Sequence, residues 1–386
     1  MKKIKEILAL VLVFALCAGT AAFGADAGPI KIGFIGPLTG PVAAYGVSVR
    51  NGTELYTNIF NDAGGINGRK IELIIYDDRH DPTEALSAYN RLVTADEITA
   101  FMGPVTSGPT FGVAEASAED NIPGITPTAT HPDVTKYGNH FFRACFLDPF
   151  QGACMARFAR EYMNAGTAAV IYDVTGAYST GLYDAFAATA AEIGLNVVTA
   201  ESYAADDVDF NAQLAIIANL APDVIFMPDY YNKAYLIASQ ARQFGITSTF
   251  LGVDGTDGVL EIEGADTSVF EGMFLANHYF SGDPSEFVQS FRKDYEAAYG
   301  IKPNAFAALG FDVALILYDA IAKVAADGVK IGPTSESRQA IIDKMAATDL
   351  EGVTGRITFD KDNNAVKEVP VIKIQDNAYI FETRYK

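Results

Sequence analysis

Tryptophan is absent from this 386-residue chain, histidine occurs four times and cysteine three times. Stacking of a ligand on tryptophan is therefore excluded. A His-rich metal site has few ligands to draw on, and a disulfide-dense scaffold cannot be built. Positive charge is also scarce: 28 Lys and Arg stand against 48 Asp and Glu, a net charge of −20. So acidic a surface repels a phosphate backbone, which argues against nucleic acid as a partner. It also keeps a secreted protein in solution. The P-loop pattern G-x-x-x-x-G-K-S/T, the dinucleotide pattern G-x-G-x-x-G and the nucleophile elbow G-x-S-x-G are missing. His80, His131, His140 and His278 are scattered and read as polar loop or surface residues, with no helical metal spacing. No metal, cofactor or catalytic residue is assigned, and the chain is expected not to be an enzyme; a secreted hydrolase working through carboxylates is the weakest reading.

At one end there is a long hydrophobic run. Lys2, Lys3 and Lys5 precede the apolar stretch Ile7–Cys17, and small residues follow from Ala18 to Ala25. This is the layout of a secretory signal peptide, with cleavage after Gly24 or Ala27. A bulky Leu16 before Cys17 argues against a lipid anchor there. Loss of residues 1–24 removes three Lys and one Glu, leaving a net charge near −22. No later segment is expected to reach the ~20 apolar residues of a membrane span. A periplasmic location follows. Cys145 and Cys154 remain; in an oxidising compartment they could close a small disulfide loop or stay as two half-buried thiols, and spacing does not choose between them.

The rest alternates short apolar runs with helical patterns. Strands are expected at 30–35, 71–76, 100–103 and 124–126, separated by helices at 47–61, 82–95 and 109–120. The rhythm restarts after about residue 148, with strands at 168–172, 196–203, 224–227 and 249–252, and helices at 150–165, 178–193, 210–219 and 233–244. Later strands read at 272–276 and 372–374, with helices at 285–299, 306–326 and 336–347 between them. Such alternation implies βαβ units and doubly wound α/β sheets. Ligands of these sheets bind outside the carboxyl ends of the strands. Asp77-Asp78-x-x-Asp81 lies at one such end. It could tempt a Mg²⁺ or Ca²⁺ reading, but it reads better as a turn and helix cap before Pro82.

Several loops carry a resemblance. Pro37-Leu38-Thr39-Gly40 with Tyr45-Gly46, Asn61-x-x-Gly64-Gly65-Ile66-Asn67-Gly68-Arg69 and Tyr76-Asp77-Asp78-x-x-Asp81-Pro82 come first. Gly103-Pro104-Val105-Thr106-Ser107-Gly108 and Thr126-Pro127-Thr128-Ala129-Thr130-x-Pro132 follow in order. Together they resemble the leucine/isoleucine/valine-binding family, the periplasmic substrate-binding proteins of branched-chain amino acid ABC transporters. The resemblance implies a type I periplasmic binding fold: two doubly wound parallel-sheet lobes joined by a hinge with three crossovers. The lobes are expected at 25–147 plus 277–368 and at 148–276 plus 369–386, after a signal peptide at 1–24.

It also implies a site. The family's carboxylate clamp maps onto Ser107 and Thr130, with the Thr128–Ala129 backbone beside them, and its carbonyl acceptor for the ammonium onto Thr128. Asp254 matches the family's acidic ammonium partner, often Glu, with Asp229 as a competitor, and Tyr230 matches a tyrosine that assists. Tyr45 and Tyr178 cover the ligand, Val105 and Thr106 line the floor and Phe306 contributes. Serine at the start of a helix can meet an anion, although Ser and Thr in loops also serve as simple caps. The implied function is capture of an amino acid, Leu, Ile or Val first, and its delivery by a monomeric receptor to a membrane permease. A sensor of the same fold for another amino acid, a small amide or an organic acid is the alternative.

Overall fold

The computed structural model describes residues 28–385; the leader and Cys17 lie outside them. The described chain forms two units. The first runs through Ala129 and adds Val134–Cys145 and Asp283–Val366; the second holds Thr130–Asp133, Phe146–Gly282 and the chain from Lys367 onward. The chain passes between them at 145/146, 282/283 and 366/367, besides the short excursion at Thr130–Asp133.

The first unit opens with β1 (Ile30–Gly36), α1 (Ala43–Asp62), β2 (Ile71–Asp77), α2 (Pro82–Thr94), β3 (Ala100–Met102), α3 (Ser107–Asp120), β4 (Gly124–Thr126) and β5 (Phe141–Arg143). Its five strands are parallel in the order β2-β1-β3-β4-β5. Because β2 and β3 flank β1 on opposite sides, the topological switch lies at the carboxyl ends of β1 and β3, where a ligand crevice forms in such sheets. Asp81 caps α2, its carboxylate accepting from Thr83 N at 2.7 Å and Glu84 N at 2.9 Å, ahead of Pro82 at the first helical position.

The second unit continues with α4 (Asp148–Arg157), β6 (Thr167–Asp173), α5 (Ala177–Ile193), β7 (Asn196–Tyr203), α6 (Asn211–Leu220), β8 (Val224–Phe226), α7 (Tyr231–Gln243), β9 (Thr249–Gly252) and β10 (Phe274–Ala276). The helix expected through residue 165 instead leaves α-geometry at Arg157 and closes with a π turn at Phe158–Tyr162. Successive residues of β6 serve two cores. Ala168 and Val170 pack with Leu182, Phe186 and Met155, whereas Ala169 and Ile171 pack with Leu214, Ile217 and Ile237. This is the period of two expected of a strand buried on both faces.

The chain then returns to the first unit with α8 (Glu286–Tyr299), α9 (Ala305–Ala326), α10 (Ser335–Ala346) and the hairpin β11 (Asp349–Gly352) with β12 (Gly355–Thr358). It ends in the second with β13 (Val369–Gln375) and β14 (Ala378–Tyr385), which pair antiparallel, so that sheet is mixed, in the order β14-β13-β10-β9-β8-β6-β7. Contrary to the sequence expectation, α9 is long and apolar enough to cross a membrane by length and composition, but 89% of its most apolar stretch is buried. It packs on α1 at two glycines. A Cβ on Gly52 would lie 1.9 Å from the Ala307 carbonyl oxygen, and one on Gly310 would lie 2.1 Å from that of Val49. Glycine is what lets the backbones approach so closely. Cys145 and Cys154 are both buried thiols and no disulfide joins them. Burial pushes the Cys154 thiol up to about 12, so it is held protonated.

Candidate functional site

In the first unit, the loops after β1, β3 and β4 are stitched together by side chains. Asp77, at the end of β2, accepts from Leu38 N at 2.8 Å and from the Thr39 hydroxyl at 2.5 Å. Burial pushes its carboxyl up, but these donors and the Arg79 N–H outweigh it and hold the group below the ordinary carboxylate range. Asp77 and Asp81 are therefore spent on turn and cap, and no metal-type cluster occurs among the described residues. Tyr45 is buried, with its ring centroid 3.5 Å from that of Phe306. The two expected wall residues thus pack on each other.

Ser107 begins α3 and is buried; Thr106, just before it, bonds His80 Nδ1 through its hydroxyl at 2.8 Å. Val105 is buried, and its carbonyl accepts the Thr128 hydroxyl at 2.5 Å. The Thr126 hydroxyl donates to the Pro104 carbonyl at 2.7 Å and accepts from Ala129 N at 3.1 Å. The Ala129 carbonyl in turn receives Arg143 Nη1 at 3.1 Å. Arg143 was not anticipated. It is fully buried, and it also reaches Asn364 Oδ1 at 2.9 Å and the Thr135 hydroxyl at 3.3 Å. A lone arginine inside the apolar run Phe141–Phe146 was its only trace in the sequence.

In the second unit, β7 and β8 flank β6, which puts the switch at the ends of β6 and β8. Tyr178 sits in the first turn of α5, and its hydroxyl donates to Asp254 Oδ1 at 2.6 Å while accepting from Gly255 N at 2.9 Å. Its ring stacks on Tyr230, which precedes α7, at 4.9 Å. A Cβ on Gly255 would lie 2.5 Å from the Tyr178 oxygen, so glycine is needed beside Asp254.

Asp254, just past β9, is fully buried and also accepts from Gln151 Nε2 at 2.9 Å and His278 Nε2 at 3.1 Å. Burial pushes its carboxyl up, but the bond from His278, the charge that ring carries when protonated, and the bonds from Tyr178 and Gln151 prevail, leaving it below its ordinary value. Gln151 belongs to α4 and accepts in return from Asp254 N at 3.2 Å. Asp229, the competing acid, is engaged by the Tyr203 hydroxyl and by Tyr230 N at 2.6 Å. Burial lifts it to about 6 in spite of those donors. Thr130 is fully buried; its carbonyl accepts from Asp148 N at 3.1 Å, while its hydroxyl has no hydrogen-bond partner among the described residues.

His278 and His140 lie in loops as expected, but both are buried rather than at the surface. His140 is bonded to the Ser117 hydroxyl at 2.9 Å, and burial lowers its basicity. Gln151 and His278 are contributors that sequence reasoning missed, since neither lies near Asp254 in the chain.

Two α/β units, one sheet parallel and the other parallel with an antiparallel edge, with polar residues gathered at their switch points, define a type I periplasmic-binding fold. The family model described as periplasmic binding protein matches residues 29–378. The leucine-, isoleucine-, valine-, threonine- and alanine-binding protein of Pseudomonas aeruginosa is 30% identical over 365 residues, 94% of each chain. The Leu/Ile/Val-binding protein BraC3 of Rhizobium johnstonii is 38% identical over 58% of this chain, an alignment that covers only 61% of that protein. Among solved structures, the branched-chain amino acid transporter substrate-binding protein LivJ of Streptococcus pneumoniae, in complex with isoleucine, superposes with a TM-score of 0.85 at 31% identity, covering 92% of this chain and 99% of that one. The chain belongs to the periplasmic binding protein family, as the resemblance in its loops implied. Its relatives are solute-binding proteins rather than enzymes, and the family implies a location outside the cytoplasm.

Proposed function

We propose that this protein binds an α-amino acid with a branched aliphatic side chain, leucine, isoleucine or valine first, and delivers it as a monomer to an ABC permease. The observation that carries the reading is Asp254, a fully buried carboxylate at a strand end that accepts hydrogen bonds from Tyr178, Gln151 and His278. A buried anion at the mouth of an α/β sheet suits a ligand's ammonium group. Ser107, at the start of α3, and the Thr130 hydroxyl serve the ligand carboxylate, with the Thr128–Ala129 backbone beside them. The Thr128 carbonyl and Tyr230 assist at the ammonium. Tyr45, Phe306, Val105, Thr106 and Tyr178 shape the side-chain pocket. The names of the relatives support the amino-acid class.

Mass spectrometry of the solute released from purified protein, followed by calorimetry with leucine, isoleucine and valine, tests this. Release of an organic acid or amide without an ammonium group would overturn it. Pull-down of a permease supports delivery, whereas a signalling partner would favour a sensor. Export through a cleaved leader, with no lipid on Cys17, predicts a mature N-terminus within residues 25–28.

A further inference from the structure

His278 lies just beyond β10 with its imidazole buried. The ring of Phe146 stacks on it at 3.7 Å and 29°, and its Nε2 is 3.1 Å from Asp254 Oδ2. An ionised carboxylate only accepts, so the hydrogen of this contact sits on Nε2. The other ring nitrogen, Nδ1, is buried and has no hydrogen-bond partner among the described residues. The neutral Nε2–H tautomer suits both ends: it donates where there is an acceptor and leaves a bare nitrogen where there is none. A protonated ring would place a second N–H in that unserved position.

The Tyr178 hydroxyl and the Gln151 amide, which also donate to Asp254, are uncharged. The charged groups acting on the ring are Asp254 and Asp257, which favour its protonation, and Lys367, which opposes it. Burial is the largest influence and also opposes it, so the ring is less basic than an ordinary histidine.

We propose that His278 is a positioning residue for amino-acid binding: as a neutral Nε2–H donor it orients Asp254 while leaving that carboxylate its full negative charge for a ligand ammonium. The inference rests on the reading of Asp254 as the ammonium partner. Its consequence is competition between a proton and the ligand. Once His278 is protonated, its own cation answers the Asp254 charge, so affinity falls as pH drops through the His278 titration, by up to about tenfold per pH unit.

The test uses the full-length mature protein and L-leucine, L-isoleucine and L-valine as probes, with calorimetry from pH 8 to pH 5. Nitrogen-15 spectra of the imidazoles accompany it, the His278 signal being assigned by its absence in H278Q. The expected results are an Nε2–H tautomer at neutral pH, titration below the ordinary value of about 6.5, and an affinity that declines on the acid side. H278F, which cannot donate, should lose at least about tenfold in affinity at pH 8, a deficit that narrows on the acid side as the wild type weakens. H278Q, whose amide keeps a donor but cannot be charged, should recover most of that loss and show no acid decline.

An Nδ1–H tautomer would overturn the proposal, as would a wild-type acid decline that persists in H278Q. D254N separates the two readings. If D254N loses binding while H278Q keeps the wild-type pH profile, the His278 inference alone falls. If D254N binds undiminished, the ammonium reading falls and takes the inference with it. The tautomer measurement needs no ligand, so it decides even where H278F fails to fold.

Discussion

Replacing Asp78 by Asn should make the protein more stable in mild alkali and change little in acid. Asp78 is fully buried in the turn after β2. Its Oδ1 accepts from His80 N at 2.8 Å, whereas its Oδ2 is buried with no hydrogen-bond partner among the described residues. Burial, added to the neighbouring charges of Asp77 and Asp81, lifts its carboxyl from 3.8 to about 7, the His80 N–H opposing only in part. A group whose folded pKa is raised holds its proton more tightly folded than unfolded. Its stabilising contribution is therefore complete below about pH 4 and is lost as pH rises through about 7. At 1.36 kcal/mol per pKa unit this window corresponds to a loss of at most ~4 kcal/mol. Asn keeps the Oδ1 acceptor and never ionises, so the loss should vanish in D78N. Urea unfolding of both proteins without ligand, at pH 4.5 and pH 8, reads the difference; the chain has no tryptophan, so circular dichroism is the probe. Other titrating groups act equally in both proteins and cancel in the comparison. We expect D78N to gain about 2–4 kcal/mol over the wild type at pH 8 and to match it within about 1 kcal/mol at pH 4.5. Equal pH profiles would show that Asp78 is ionised and compensated at neutral pH, and would refute the reasoning.

Asp254→Asn should reduce amino-acid affinity by about two to four orders of magnitude, since an unpaired buried charge costs about 3–5 kcal/mol; calorimetry showing undiminished affinity would dismiss Asp254 as the ammonium partner. Thr130→Val removes a buried hydroxyl that has no hydrogen-bond partner among the described residues, so ligand-free melting should hold or rise while binding weakens by about 1–3 kcal/mol. A lowered ligand-free melting temperature would mean the hydroxyl serves the fold. Ser107→Ala should weaken binding by a similar ~1–3 kcal/mol, read in the same titrations. Gly310→Ala forces a methyl group to 2.1 Å from the Val49 carbonyl oxygen, and should destabilise the first unit by about 1–3 kcal/mol or more, seen as a lowered midpoint in urea.

Much of the architecture was legible because it is written in local pattern. Strands β7 and β9 fall where their apolar runs placed them, at Asn196–Tyr203 and Thr249–Gly252, and α2 starts at Pro82 because Asp81 caps it. Helix α1 begins at Ala43, earlier than its apolar spacing suggested, and its first turn holds Gly46, where a Cβ would lie 2.2 Å from the Pro37 carbonyl oxygen. The elements that escaped notice are those with weak local signals. Strand β5 is three residues long and contains Arg143, the hairpin of β11 and β12 is largely polar, and β14 is an edge strand with no clear alternation of burial.

The residues of the proposed site divide in the same way. Ser107, Thr128, Thr130, Tyr178, Tyr230 and Asp254 lie at strand ends or helix starts, where the alternation of elements and the loop motifs point by themselves. What those residues touch is a property of tertiary structure alone. Gln151 meets Asp254 across 103 positions and His278 meets it across 24; Arg143 reaches Asn364 across 221. No local periodicity encodes such pairs, because a hydrogen bond is chosen by which donor the packed sheet brings to a buried acceptor. The order of residues thus determined the class of fold, its family and the loops that matter. Packing decided that Asp254 is a buried carboxylate held by Tyr178, Gln151 and His278, that Tyr45 lies on Phe306, and that Cys145 and Cys154 remain thiols: burial and proximity arise only when distant segments share one core.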